Sequence, residues 1–254
     1  MPPRPFVLAE ANWKSVKVTD YQVAILPWGA TEPHNFHLPY GTDNYETGAI
    51  AERAAEIAWN QGAKVVVLPT VPFGVNTGQL DLKLALNMNP STQLALLTDL
   101  ASAISSHGLR KLLILNGHGG NDFRQMIREL QPRVNLFICT INWWTCVSAR
   151  DYFDEPGDHA GEMETSVMMA LEPKLLLPLS EAGAGKARQF RIAGLREGWA
   201  WAPRQWSKVS EDTGTGNPAK STAAKGEKFL HAVTERIGGF LVDLAKADSN
   251  EMYE

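Results

Sequence analysis

One loop, which we expect to end near Asp43, gathers Glu32, His34, His37 and Asp43, and a second carries His118 inside Asn116-Gly-His-Gly-Gly-Asn121. Imidazole nitrogen mixed with carboxylate oxygen suits zinc, manganese or iron, and the lack of nearby thiols argues against a structural cysteine site. Glu32 and His34 are two residues apart, so an extended backbone turns both side chains the same way and lets them share a site. Asp43 stands at a predicted helix start, where it either caps the helix or bridges two ions with its two oxygens. The glycines around His118 either let the backbone approach a ligand closely or simply form a tight turn. A third loop, Asp158-His-Ala-Gly161, carries His159; the remaining two of six histidines, His107 and His231, fall on predicted helices and read as surface or helix-end residues.

Elements able to hold these loops follow from the apolar pattern. Val23-Ala-Ile-Leu-Pro27 reads as a buried strand opening into the first loop, and Ile50, Ala54, Ile57 and Ala58 recur at helical spacing over 44–61, with Gly62 as the stop. A β-branched run over 64–68 predicts a second strand, and a helix follows Pro90 as far as Gly108. A third strand over 111–115 runs straight into the His118 loop and a helix near 123–130, and 134–141 reads as a fourth strand. Helices are expected over 162–171, stopped by Pro173, and over 221–247, loosened at Gly238-Gly239. The stretch 178–217 has no clear period and is either a lid or a subunit contact. Strands alternating with helices predict an α/β fold, a three-layer α/β/α arrangement with a mainly parallel sheet, as one domain over 1–254. Ligands of such sheets bind beyond the carboxyl ends of the strands, where the loops after Leu26 and Leu115 lie.

At 254 residues and 44% hydrophobic, the chain can bury a substantial core. A net charge of −4 and a pI near 5.9 offer no broad basic surface for nucleic acid, so a small-molecule substrate is expected. No stretch approaches the roughly 20 apolar residues of a membrane span, and residues 1–10 lack a cationic start followed by an apolar run, so a cytoplasmic location is expected. Cys139 and Cys146 form neither a CxxC pair nor a disulfide framework. A rival reading makes the chain a nonenzymatic small-molecule or nucleotide-binding module, with 116–121 as an anion cradle at a helix start. The spacing does not give G-x-G-x-x-G, and no Walker-type Lys-Ser/Thr follows.

Taken together, Leu26-Pro-Trp-Gly-Ala-Thr-Glu-Pro-His-Asn-Phe-His-Leu-Pro-Tyr-Gly-Thr-Asp43, the glycine-rich 116–121 loop and His159-Ala-Gly-Glu-Met-Glu-Thr-Ser166 resemble the creatininase (creatinine amidohydrolase) family. Gly214-Thr-Gly-Asn-Pro218 and Ser221-Thr-Ala-Ala-Lys-Gly226 are similar to its C-terminal pattern, so the likeness runs over most of the chain. The resemblance implies two divalent ions, zinc, manganese or iron: Glu32 and His118 serve one, His34 the other, and Asp43 bridges them. Creatinine-cleaving members place an acid two residues after the loop histidine, where this chain has Gly120; Glu164 is the candidate replacement and Glu162 a reserve. His159 matches the family's proton-carrying histidine, a role suited to imidazole. Trp143, Trp144 and Asn121 are candidates for substrate contact, although core packing and tying down the glycine loop are equally open to them; His37 is expected to orient a ligand. The implied activity is hydrolysis of a carbon–nitrogen bond in a small, often cyclic amide such as creatinine. Formamides and oxidised cyclitols are the alternatives within the family. The resemblance also implies a homo-oligomer, with six copies in a ring.

Overall fold

A computed structural model describes residues 3–253. Its sheet has four parallel strands in the order β2-β1-β3-β4: β1 (Val23–Trp28), β2 (Val65–Val67), β3 (Lys111–Asn116) and β4 (Phe137–Asn142). Side chains of a strand alternate between faces, and here the alternation sorts the core into two halves. Val23, Ile25, Val65, Val67, Leu113 and Leu115 pack on one face, and Ala24, Leu26, Trp28, Val66, Leu112 and Ile114 on the other. The first face is covered by α2 (Thr42–Asn60), α5 (Glu162–Leu171) and α8 (Ala223–Lys246), and the second by α3 (Pro90–Ser106) and α4 (Arg124–Leu130). Both faces are therefore dry, which is why the strands read as unbroken apolar runs. The expected three-layer α/β/α fold with a parallel sheet is the one observed.

Boundaries differ in informative places. β2 and β4 are shorter than the apolar runs that predict them, because β2 pairs with β1 only from Val23↔Val65 to Ile25↔Val67 and β4 follows a turn closed by Arg133 on Leu130. Gly62 adopts φ +91°, the left-handed conformation that lets the chain leave α2 at its predicted stop. Gly238-Gly239 does not loosen α8, which is continuous through both. A Cβ at Gly238 would lie 2.7 Å from Ile57 Cγ2, so the missing side chain lets α8 pack closely on α2. Short helices α1 (Trp13–Val16), α6 (Ala193–Glu197) and α7 (Trp206–Val209) decorate the layers, the last two inside the segment without a clear period. Among the described residues, no helix is long and apolar enough to cross a membrane.

Candidate metal centre

The loops after β1 and β3, two neighbouring central strands, leave the same end of the sheet, and α2 begins at Thr42 above them. Asp43 is thus in the first turn of α2, but the helix is preceded by Gly41 without any side-chain cap. The Asp43 carboxylate turns inward: Oδ1 lies 2.9 Å from His34 Nε2, and Oδ2 lies 3.0 Å from His118 Nδ1. His118 Nδ1 is also 2.8 Å from Glu32 Oε1. Glu32, Asp43 and His118 form one compact donor group, His34, Asp43 and Glu164 a second, and Glu32, His34 and His159 a third. The first two overlap at Asp43.

Each imidazole is aimed from its far nitrogen. His34 Nδ1 donates to the Glu32 carbonyl (3.0 Å), His118 Nε2 to the Val75 carbonyl (3.1 Å) and His159 Nε2 to the Pro33 carbonyl (3.0 Å). A carbonyl only accepts, so these bonds orient the rings and leave Nε2 of His34 and Nδ1 of His118 and His159 as the nitrogens that face the cluster. Burial would lower the pKa of His34, but the Asp43 carboxylate against it carries it up to about 10, and Glu32 and Asp43 likewise raise His118 despite burial. Burial raises and the facing imidazoles lower the carboxyls of Asp43 and Glu32, and the lowering wins at both. A dry pocket that pulls this strongly for positive charge has the donor set and the electrostatics of a divalent-metal site.

Backbone strain marks the two histidine loops. Asn35, directly after His34, has φ +54°, and Ala160, directly after His159, has φ +52°. Asparagine tolerates this region; a buried alanine there is held against a cost of order 1–3 kcal/mol. The surroundings supply the restraint: Asn35 N–H donates to Thr213, and its Oδ1 accepts from Gly183, while His159 and Thr215 exchange backbone bonds. The C-terminal motif 214–218 is therefore the wall that shapes the His159 loop. In the same way, Thr222 N–H donates to Ser166 Oγ, and Gly226 lets α8 approach α5, since a Cβ there would lie 1.9 Å from the Ser166 carbonyl.

Glu164, on the first turn of α5, accepts from the Ala160 N–H and faces His34 and Asp43. Glu162 is neither solvated nor near the cluster's donors: it is buried, pairs with Lys225 and accepts from Glu155 N–H at 2.7 Å. His37 Nε2 lies 3.0 Å from Thr165 Oγ1, so its hydrogen bond steadies the start of α5 rather than a donor residue directly. Burial, then the neighbouring His34, bring His37 down to about 4, and it stays neutral at pH 7.

The three candidates for substrate contact make contacts within the protein that fit their other reading. Trp143 is buried against Trp144 and Phe229 in the core face that holds α8, with Trp144 packed on the same cluster. Asn121 spends its amide on the protein, accepting from Val75 N–H (3.1 Å) and Gln93 (2.8 Å) and donating to Asn116 (3.0 Å), which ties down the glycine loop. The acidic cluster below that loop also makes it a poor anion cradle.

Other participants carry no spacing signal. Gln79, buried in the long loop after β2, donates to Glu32 Oε2. Trp206 sets its ring edge-to-face against His159, with centroids 4.8 Å apart, and Arg204 lies over Trp206 while pairing with Asp158 at 2.6 Å. Part of the 178–217 segment thus forms a wall beside the histidine. Trp201, Arg204, Trp206, Gln79 and His118 line an open cavity of about 900 Å³ that reaches the cluster at His118.

Gly120 cannot carry the acid that creatinine-cleaving members place there. A Cβ would lie 2.3 Å from the Val75 carbonyl and 2.4 Å from His118 Nε2, in the middle of the bond that aims His118. Gly120→Ala is expected to break that bond, to destabilise the fold by about 1–3 kcal/mol and to weaken metal binding roughly 10–100-fold. Denaturant unfolding and chelator competition check both.

Comparison with known proteins identifies the family. The creatininase family model, described as creatinine amidohydrolase, matches residues 9–241. A crystal structure of a Bacteroides fragilis protein provisionally named creatinine amidohydrolase is 45% identical, covers 98% of this chain and 99% of its own, and superposes with a TM-score of 0.92. A mycofactocin precursor peptide peptidase of Mycobacterium ulcerans is 26% identical over 81% of this chain and 79% of its own length. Creatininase structures at 20% identity, one a Zn–Zn type mutant and one named for manganese, cover 96% of this chain and all of their own with a TM-score of 0.81, and share its fold. With the model match spanning nearly the whole chain and the motif residues gathered at one end of the sheet, the chain belongs to the creatininase family and is a hydrolase of carbon–nitrogen bonds.

Proposed function

We propose that this protein is a two-ion amidohydrolase that cleaves the carbon–nitrogen bond of a small amide. The observation that carries this reading is the overlap of two donor groups at Asp43. Glu32, His118 and Asp43 would hold one divalent ion, and His34, Glu164 and Asp43 the other; zinc and manganese fit the mixed imidazole and carboxylate donors. Ions bound there would lower the pKa of water toward neutrality and polarise a carbonyl oxygen.

The remaining chemistry belongs to the chain. His159 Nδ1 stands 3.9 Å from Glu32 Oε1 and faces the cluster, with its other nitrogen locked on Pro33. In our reading Nδ1 takes a proton from the attacking water and returns it to the leaving nitrogen, so that the amine departs neutral. Trp206 restricts the imidazole to that orientation and keeps bulk water off one face of it. The same reading includes a homo-oligomer of six copies in the cytoplasm.

A second substrate reading has its own support. A cavity of about 900 Å³ sits at the upper end of the range of ligand pockets, far beyond the needs of a single small ring. A relative of the chain is named a peptide peptidase. An amide within a short peptide therefore stands beside creatinine-like rings, formamides and oxidised cyclitols. Metal-loaded protein offered all four classes, with products read by mass spectrometry, is expected to cleave one class and to lose turnover of it on chelation. Turnover that survives complete metal removal would refute the two-ion reading.

A further inference from the structure

Glu46 lies one turn beyond Asp43 on α2, a helix that packs against both α5 and α8. It is completely buried, and neither carboxylate oxygen has a hydrogen-bond partner among the described residues. Leaving a carboxyl in this condition is among the costliest arrangements a protein interior can contain, since burial favours neither its charge nor its unmet polarity. Burial, then the negative charges of Glu164 and Asp43, hold its carboxyl well above the usual carboxylate range. The groups it senses are thus the donors on the His34 side of the centre, and both make its situation worse.

A divalent ion reverses that balance. Two such ions bring four positive charges to a site in which Glu32, Asp43 and Glu164 supply three negative ones and the imidazoles none. Position 120, beside His118, is closed to an acidic side chain, so any further carboxylate has to come from another element.

We infer that Glu46 is the fourth carboxylate of the metal centre, balancing the charge of the ion held by His34, Asp43 and Glu164 from the α2 side. The inference rests on the two-ion reading above and adds a residue that none of the family motifs contains. Its role is to position and retain the ion, not to touch substrate.

The test strips full-length protein with chelator, reloads it with zinc, counts ions per chain and measures affinity by competition with a chelating dye. Wild-type protein is expected to take up two ions. Glu46→Gln and Glu46→Met are both expected to bind one of the two ions about 10–100-fold less tightly while the other is unchanged. Thermal unfolding supplies an independent readout that a purely structural role would not move in this way. Glu46→Met, which removes a buried unpartnered acid, should raise the unfolding temperature of stripped protein yet reduce the further rise produced by zinc. Should both variants hold two ions as tightly as wild type, Glu46 has no part in the centre, although the two-ion reading stands. If wild type itself takes up no zinc, both fail. Where Glu46→Gln does not fold, the Met variant carries the measurement.

Discussion

Asp43→Asn is expected to lower metal content from about two ions per chain to less than one and to abolish turnover. Asp43 belongs to two of the three compact donor groups, the one with Glu32 and His118 and the one with His34 and Glu164, with one oxygen facing His34 and the other facing His118. The amide keeps the size of the side chain but removes its charge and replaces one of the two oxygens with a nitrogen that cannot donate a lone pair. Among the described residues, no other contributes to both of these groups, so one atom exchanged weakens both sides at once. Loss of the several kcal/mol that metal ions lend to charge development corresponds to roughly three decades or more in kcat. Elemental analysis beside steady-state kinetics checks the expectation; wild-type metal content in the variant would contradict it.

His159→Gln is expected to lower kcat by about 10²–10⁴ while leaving metal content intact. Glutamine can still donate to the Pro33 carbonyl and fill the space beside Trp206, but it cannot carry a proton at the position of Nδ1. His159 also stands within the compact group of Glu32 and His34, which gives the experiment two distinct outcomes. A variant that keeps two ions and loses kcat with little change in KM identifies a proton carrier. A variant that loses an ion identifies a ligand and contradicts a proton-carrying role for His159.

Much of this architecture was legible because the parallel sheet is dry on both faces. Runs such as Val23-Ala-Ile-Leu and Leu112-Leu-Ile-Leu have to be buried, and Gly62 and Gly108 stop their helices with left-handed backbone as their positions predict. The donor residues were legible for a different reason, since Glu32, His34 and Asp43 crowd one loop and His118 sits in a short glycine-rich turn. What spacing could not show is how long loops pack. Gln79, Arg204 and Trp206 reach the site from segments without periodicity, and only the folded chain brings them beside Glu32 and His159.

Residue type left two uses open for several side chains, and the packing shows what each of them touches. Trp143 and Trp144 follow a strand end as substrate-facing aromatics would, yet the core around Phe229 claims them. Asn121 has the chemistry to bind substrate and spends it on Val75, Gln93 and Asn116. Glu162 and Glu164 are both near the start of α5, but Lys225 draws the first away and the Ala160 N–H turns the second inward. Glu46 carries no signal in the sequence because a glutamate in a helix is ordinarily solvated; its burial becomes visible only with α5 and α8 packed against α2.

The most direct test is anomalous diffraction from crystals of zinc- or manganese-loaded protein. Two peaks are predicted, both in contact with the Asp43 carboxylate, one also touching Glu32 and His118 and the other His34 and Glu164. Peaks absent from this cluster, or a fully loaded centre in which Asp43 touches neither ion, would contradict the account.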